Sequence, residues 1–262
     1  MISRPLSGVS APVAELLTRI IASTDTYHRV HLRRIARTID TIVESAPAGR
    51  LLELGTGAVI PLLLSELRPD IEVHVTEFDL GQPPTGEKTL SMGDLTVTCP
   101  VYRVNLEEQP LPVADQTFDT VICCEVIEHM EVDPMFMLSE VNRATRESGT
   151  LILTTPNITS TRAIYKILRG QDPYFYMQYR KVPSLYRHNY EYSVTSLLNV
   201  LNSAGFSGKV WTEDTFEDPV WTDVDKLRQL GYELSQVGDN IFAVASKQGP
   251  VKNRYPRLIY AD

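Results

Sequence analysis

The amino-acid sequence predicts an α/β domain: a seven-stranded, mostly parallel sheet with helices on both faces and an antiparallel edge strand. Three observations carry this expectation. Short apolar runs alternate with runs of helical period between residues 49 and 246, the pattern of right-handed β-α-β crossovers on a covered sheet. A glycine-bearing turn, Gly55-Thr56-Gly57, follows the first apolar run. The chain has 262 residues, 43% hydrophobic and 22% charged, an ordinary balance for a globular protein.

In chain order, residues 11–45 read as helical. Leu16, Leu17, Ile20 and Ile21, then Leu32, Ile35, Ile39 and Ile42, recur at helical spacing. The stretch divides near Ser23–Thr26, and Pro47 with Gly49 closes it. Strands are predicted at Arg50–Leu54, Ile71–Glu77, Val101–Val104, Phe118–Cys124 and Thr150–Thr154, then at Lys209–Thr212 and Asn240–Ala245. Helices are predicted at Pro61–Leu67, Met135–Ala144 and Val194–Ala204, the last capped by Ser193 or Thr195. A polar stretch bearing Asp and Pro separates the last two strands, which allows an antiparallel hairpin at that edge. The chain thus divides into an N-terminal helical cap (1–48), a main domain (49–246) with an insertion at 157–192, and a tail (247–262).

Composition narrows the function. A net charge of −8 argues against an indiscriminate nucleic-acid binder, because phosphate contacts need Lys and Arg. No apolar run approaches the ~18 residues of a membrane span. The N-terminus lacks the apolar core and cleavage site of a secretory leader. Cys99, Cys123 and Cys124 form no disulfide framework, so a reducing cytoplasm is the expected compartment.

The most informative segment is LLELGTGAVIP, residues 51–61. Its strand ends in Glu53, and Gly55 and Gly57 suit a backbone that turns sharply and passes close to a ligand. The third glycine of a dinucleotide fingerprint is missing, and no G-K-[ST] follows, which disfavours nicotinamide and P-loop chemistry. Twenty-four residues beyond Glu53, Glu77 ends the next strand, with Asp79 just past it. A carboxylate there can accept both hydrogen bonds of a ribose diol, and Glu77 is the preferred candidate.

The segment NLEEQPLPVADQTFDTVICCEVIEHM, residues 105–130, resembles the third and fourth motifs of class I S-adenosylmethionine-dependent methyltransferases. With LILTTPN (151–157) and AGF (204–206), the resemblance covers residues 50–246. It implies a Rossmann-like fold and S-adenosylmethionine as cofactor. The implied cofactor-binding residues are Glu53, Gly55, Thr56, Gly57, Glu77, Phe78, Asn105, Leu106, Cys124 and Glu125. Asn105 stands where many members carry Asp, which changes the contact with adenine without removing it.

Methyl transfer from a sulfonium needs alignment, and a proton acceptor if the methyl goes to a hydroxyl. On a helical turn Glu125, Glu128 and His129 would lie at i, i+3 and i+4 on one face. Two readings follow: His129 as general base with a carboxylate neighbour, or the group as ligands of Mg²⁺ or Mn²⁺. A second histidine, His188, lies 59 residues on, in RHNYEYS. Small-RNA terminal 2′-O-methyltransferases join an E-x-x-E-H group to a distant His around a metal, and Glu125, Glu128, His129 and His188 match that set. E-V-I-E-H occurs also in quinone-ring O-methyltransferases. The combination of EVIEHM, LTTPN, RHNYEYS and Asn105-Leu106-Glu107 looks closest to methyltransferases of bacterial polysaccharide and glycan biosynthesis. Candidate catalytic residues are therefore His129, His188 and Glu125.

The insertion at 157–192 holds seven of the twelve tyrosines, with Phe175. It also carries Arg162, Lys166, Arg169, Arg180, Lys181 and Arg187 against only Asp172 and Glu191. Rings beside cations suit a sugar bearing phosphate or carboxylate, a single-stranded RNA, or an oligomer interface. The leading expectation is an O-methyltransferase acting on a small-molecule or oligosaccharide hydroxyl. The alternatives are an RNA or quinone O-methyltransferase and a non-catalytic cofactor-binding subunit. The basic, aromatic tail KNRYPRLIY (252–260) either folds back or pairs with a partner chain.

Overall fold

A computed structural model describes residues 6, 8–21, 26–177, 179, 181, 187–216, 222–232 and 234–261. Three helices come first: α1 (Ala11–Ile20), α2 (Thr26–Val30) and α3 (Leu32–Ser45). Of the break expected near Ser23–Thr26, residues 23–25 lie outside the described residues, and Thr26 opens α2. Then follow β1 (Gly49–Glu53), α4 (Val59–Leu67), β2 (Ile71–Glu77), β3 (Thr85–Met92), β4 (Leu95–Arg103) and β5 (Phe118–Cys124). The second half carries α5 (Pro134–Ala144), β6 (Thr145–Pro156), α6 (Thr161–Ile167), α7 (Val194–Ser203), β7 (Phe206–Glu213), α8 (Thr222–Gln229) and β8 (Asn240–Lys247).

The sheet has eight strands in the order β3-β4-β2-β1-β5-β6-β8-β7, one more than the sequence predicted. The addition is β3, an edge strand paired antiparallel to β4 from Thr85↔Tyr102 to Met92↔Leu95. Only Leu90 of β3 is buried, so the strand shows no apolar alternation. Its two-residue Gly93-Asp94 turn, with Gly93 at φ +60°, is the hairpin signal the sequence carries there. The expected antiparallel edge strand becomes two reversed strands. β3 lies at one edge, while β8 lies one place in from the other, antiparallel to both β6 and β7.

Strand alternation divides the core between two faces. Leu51, Ile122 and Ile152 point to the face that α3 and α4 cover through Ile42 and Leu64. Leu52, Val121 and Leu153 point to the other, under Leu138 of α5 and Leu197 of α7. Each such side chain, fully buried, contributes about 1.5–3 kcal/mol. Local signals fix the helix starts: Asp133 caps α5 through Phe136 N–H at 3.0 Å, and Ser193 with Ser196 forms a capping box for α7.

The C-terminal tail folds back. Arg254 forms an ion pair with Asp133, Tyr260 Oη donates to Asp133 Oδ1 at 2.5 Å and accepts from Met135 N–H at 3.1 Å, and Pro256 is buried. Among the described residues no helix is long and apolar enough to cross a membrane. The consequence for function is geometric. β4, β2, β1, β5 and β6 are parallel, so their carboxyl ends share one edge of the sheet, where ligands of such sheets bind.

Candidate active site

At that edge β1 ends in Glu53 and the chain enters its turn. Gly55 has φ +66°, and its N–H donates to Thr76 Oγ1 at 2.8 Å, which seats the turn against β2. A Cβ at Gly55 would come within 3.1 Å of Val126 Cγ2, whereas one at Gly57 would meet nothing within 4 Å. The backbone at Gly57 therefore faces open space. Glu53 is buried, and its Oε2 has no hydrogen-bond partner. Burial pushes its carboxyl up to about 7, against hydrogen bonds from Thr56 and the Gly57 N–H that favour the anion. An unpaired buried oxygen beside an open glycine turn fits the ammonium of an amino-acid ligand.

Arg34 is a site residue that sequence reasoning missed. This α3 residue has a side chain only 8% exposed, forms an ion pair with Glu125, and donates from Nη2 to Tyr27 Oη at 3.1 Å. Its Nε is buried without a partner. Glu125 accepts further bonds from Asn240 Nδ2 at 3.2 Å. Arg34, Thr38 and Thr41 form a buried polar stripe on α3 that apolar periodicity does not reveal. The unpaired N–H makes Arg34 a candidate for a ligand carboxylate.

Glu77 ends β2 as expected, and Val104 N–H bonds its backbone carbonyl at 3.1 Å, which brings Asn105 beside it. Its side chain, however, already binds Lys88 of β3 and Arg103 Nε at 2.9 Å. Burial acts to raise the Glu77 carboxyl, but Lys88 and then Arg103 hold it below the ordinary range. A carboxylate has about four acceptor sites, so two remain for a ribose diol. Asp79 accepts from Gly81 N–H within its own loop. Phe78 is exposed, and Leu106 packs against the core. The Asn105 amide is committed to its own turn, accepting from Glu107 N–H at 3.1 Å and donating to Glu108 at 3.0 Å. Cys124, half-buried at the end of β5, is kept a thiol by burial.

Beyond β5 the structure departs from the helical face expected for Glu125, Glu128 and His129. Glu125 adopts φ +55°, and Ile127–His129 forms a 3-10 turn, so the i, i+4 register is lost. Glu125 turns onto Arg34 and Asn240 and leaves the metal-ligand group expected of it. Glu128, His129 and His188 converge instead, with one ligand atom of each lying within 4.8 Å of the others.

Hydrogen bonds fix which nitrogen of each imidazole carries a proton. His129 Nδ1 lies 3.0 Å from the Arg187 carbonyl, which can only accept. His188 Nδ1 lies 2.8 Å from Glu191 Oε1. Both Nδ1 atoms therefore carry a proton, and in the neutral form of each ring the lone pair sits on Nε2. Glu128 is fully buried, with Oε2 accepting from Thr155 Oγ1 at 2.9 Å and Oε1 unpartnered. Burial, then the charge of Glu125, pushes its carboxyl well up. Burial also lowers His129, which keeps it neutral at pH 7. The 59-residue separation is closed by backbone contacts: Asn189 and Tyr190 N–H to the Glu128 carbonyl at 2.7 and 3.2 Å, and Asn189 Nδ2 to the His129 carbonyl at 2.9 Å. Glu107 braces the following loop by accepting from the N–H groups of Glu131, Val132 and Asp133. An orphaned buried carboxylate oxygen next to two imidazole lone pairs fits a divalent cation of hard or borderline character.

The insertion borders this group. Tyr176 meets the His188 ring edge-on at 5.2 Å, Phe175 stacks on Phe216 at 6.2 Å, and Lys166 lies over Phe175. Arg162 pairs with Asp239 and lies over Phe216, while Arg187 lies over Tyr179. Arg180 and Tyr186 fall outside the described residues.

Comparison with known proteins identifies the domain. Residues 27–209 match the family model of a methyltransferase domain. A ubiquinone biosynthesis O-methyltransferase of Hahella chejuensis is 29% identical over 135 residues, 51% of this chain and 55% of that protein. The Xanthomonas campestris pv. campestris protein of the same name is 32% identical over 114 residues, 43% of this chain and 45% of that one. The chain thus spans about half the length of the curated relatives it matches. Among solved structures, a SAM-dependent methyltransferase of Thermotoga maritima, described as a possible histamine N-methyltransferase, superposes with TM-score 0.54 at 19% identity. The match covers 84% of this chain and 93% of that one. A SAM-dependent methyltransferase of Archaeoglobus fulgidus gives 0.51 at 18% identity, over 85% and 100% of the two chains. At such identities these two show the fold.

Proposed function

The chain belongs to the methyltransferase-domain family, S-adenosylmethionine-dependent enzymes, and from that premise we propose that it methylates a hydroxyl group held beside Glu128, His129 and His188. The observation that carries the proposal is the convergence of those three ligand atoms, each imidazole with its Nδ1 proton already engaged.

S-adenosylmethionine supplies an activated methyl on a sulfonium, so the protein's work is alignment and management of one proton. Glu53 and the Gly55–Gly57 turn are proposed to receive the amino-acid end, with Arg34 on its carboxylate. Glu77 is proposed to take the ribose, and Phe78, Asn105 and Leu106 to border the adenine. Glu128, His129 and His188 are proposed to hold Mg²⁺ or Mn²⁺, which when bound supplies Lewis acidity to an acceptor hydroxyl. Thr155 orients Glu128, and the Arg187 carbonyl orients His129.

A sugar or glycan hydroxyl is the proposed acceptor. Supporting it are the ring of Tyr176 beside His188 and the cations Lys166 and Arg187, whose polar contacts among the described residues are neutral oxygens of Tyr174, Met177 and Asn189. Such cations suit an acceptor carrying phosphate or carboxylate. A second reading, a phenolic hydroxyl on a quinone precursor, is favoured by the names of the curated relatives. The test is turnover of labelled S-adenosylmethionine with sugar, sugar-phosphate and catechol acceptors, with and without chelator. The proposal expects a sugar methyl ether, lost to chelation and restored by Mn²⁺. It also expects no turnover by His129→Ala or His188→Ala despite intact cofactor binding. Methylation of catechol alone would select the second reading, and full turnover by both variants would sink the site.

A further inference from the structure

The trio at the strand ends depends on a group outside it. Glu191 lies three residues after His188, and its side chain is completely shielded from solvent. Its Oε1 accepts from His188 Nδ1 at 2.8 Å, from Phe175 N–H at 2.9 Å and from Tyr176 N–H at 3.2 Å. Oε2 accepts from Phe175 N–H as well, at 3.1 Å. One buried carboxylate thus joins the imidazole to the backbone of the acceptor-side insertion, fifteen and sixteen residues upstream.

We propose that Glu191 is a positioning residue that orders His188 and the insertion together. It holds His188 in the tautomer whose Nε2 lone pair is available beside Glu128 and His129. It also pins the backbone of Phe175 and Tyr176, and so keeps the Tyr176 ring against His188. The inference deepens the reading of Glu128, His129 and His188 as a cation site and rests on it. The physical reason is that a carboxylate only accepts, so it enforces Nδ1–H on the histidine it touches. A glutamine in its place offers both a carbonyl and an amino group. It can bond either tautomer, and it presents one acceptor oxygen where three N–H groups now share two.

The experiment uses the full chain, wild type and the variants Glu191→Gln and Glu191→Asp. Imidazole ¹⁵N resonances report the His188 tautomer, and amide hydrogen exchange reports Phe175 and Tyr176. Binding of Mn²⁺ alone and of S-adenosylmethionine alone is measured by titration. The expected result is Nδ1–H in the wild type, an added Nε2–H population in Glu191→Gln, and faster exchange at both amides. Mn²⁺ binding should weaken about 10–100-fold, as when other orienting partners of metal ligands are lost, with cofactor affinity unchanged. Glu191→Asp should restore the wild-type tautomer. An unchanged tautomer in Glu191→Gln would overturn the proposal, as would unchanged amide exchange. Loss of cofactor affinity in parallel would also overturn it, by making the role a general structural one. If the wild type binds no Mn²⁺, the cation reading fails, while tautomer and exchange still decide the role of Glu191.

Discussion

Replacing Arg34 with methionine keeps the length of the side chain and removes its charge, leaving the Glu125 carboxylate without its cation. Arg34 is 8% exposed at the side chain and Glu125 18%, so the pair is largely withdrawn from water. Breaking a buried pair from one side costs roughly 3–5 kcal/mol, because the remaining charge is uncompensated. Two features place this case at the lower end: Glu125 retains some solvent contact, and Asn240 Nδ2 still reaches both its oxygens at 3.2 Å. The expectation is a loss of about 3 kcal/mol, which for a chain of this size lowers Tm by roughly 6–12 °C. Urea unfolding of Arg34→Met, Glu125→Gln and the double variant measures it. The double variant should recover about 1–2 kcal/mol relative to the sum of the singles, since the unpaired anion is gone. A single-variant loss below about 1 kcal/mol, or strict additivity, would refute the claim that the pair is buried and coupled.

The glycine turn separates folding from binding. Gly57→Ala should change stability by no more than about 0.5 kcal/mol yet weaken S-adenosylmethionine binding at least tenfold in calorimetry, because the new methyl enters open space reserved for ligand. Gly55→Ala should instead cost about 1–2 kcal/mol of stability, since φ is +66° there and Val126 is close. The pH dependence has a definite sign. Burial raises the Glu53 carboxyl to about 7, so its contribution to the free protein is fully present below the ordinary carboxyl range near 4.5 and lost as pH rises through 7. Thermal melts should show wild type losing stability relative to Glu53→Gln across that window, and saturating cofactor should reduce the difference.

Much of the fold is legible because its strands obey the alternation and length rules of a covered sheet. Ile71–Glu77 and Phe118–Cys124 appear with the predicted limits, and α5 and α7 start at their capping residues. β3 escapes because an edge strand buries one side chain only, whereas the antiparallel pairing of β7 with β8 is the hairpin expected at the other edge. In the site, Glu53, Gly55, Gly57 and Glu77 occupy the strand ends that their motif implies. Glu128, His129 and His188 come together because backbone bonds bridge them, a closure that spacing cannot express. The helical face expected for Glu125, Glu128 and His129 does not form for a local reason: one left-handed residue and a three-residue turn cancel the register. Arg34 was invisible because its partner lies 91 residues away and a cation on a helix ordinarily signals solvent.

The way residues 187–190 attach to the turn at 127–129 has a bearing on how this enzyme could change its substrate. The anchors are peptide groups of Glu128, His129, Arg187, Asn189 and Tyr190, with two side chains, the His129 imidazole and the Asn189 amide. Peptide groups are indifferent to which side chain hangs beside them. The tyrosines and cations further out can therefore be rewritten, residue by residue, while His188, Asn189 and Glu191 stay. On the proposed reading the segment is an exchangeable cassette clipped to the proposed reaction centre, so that a change of acceptor would leave the cofactor half as it is.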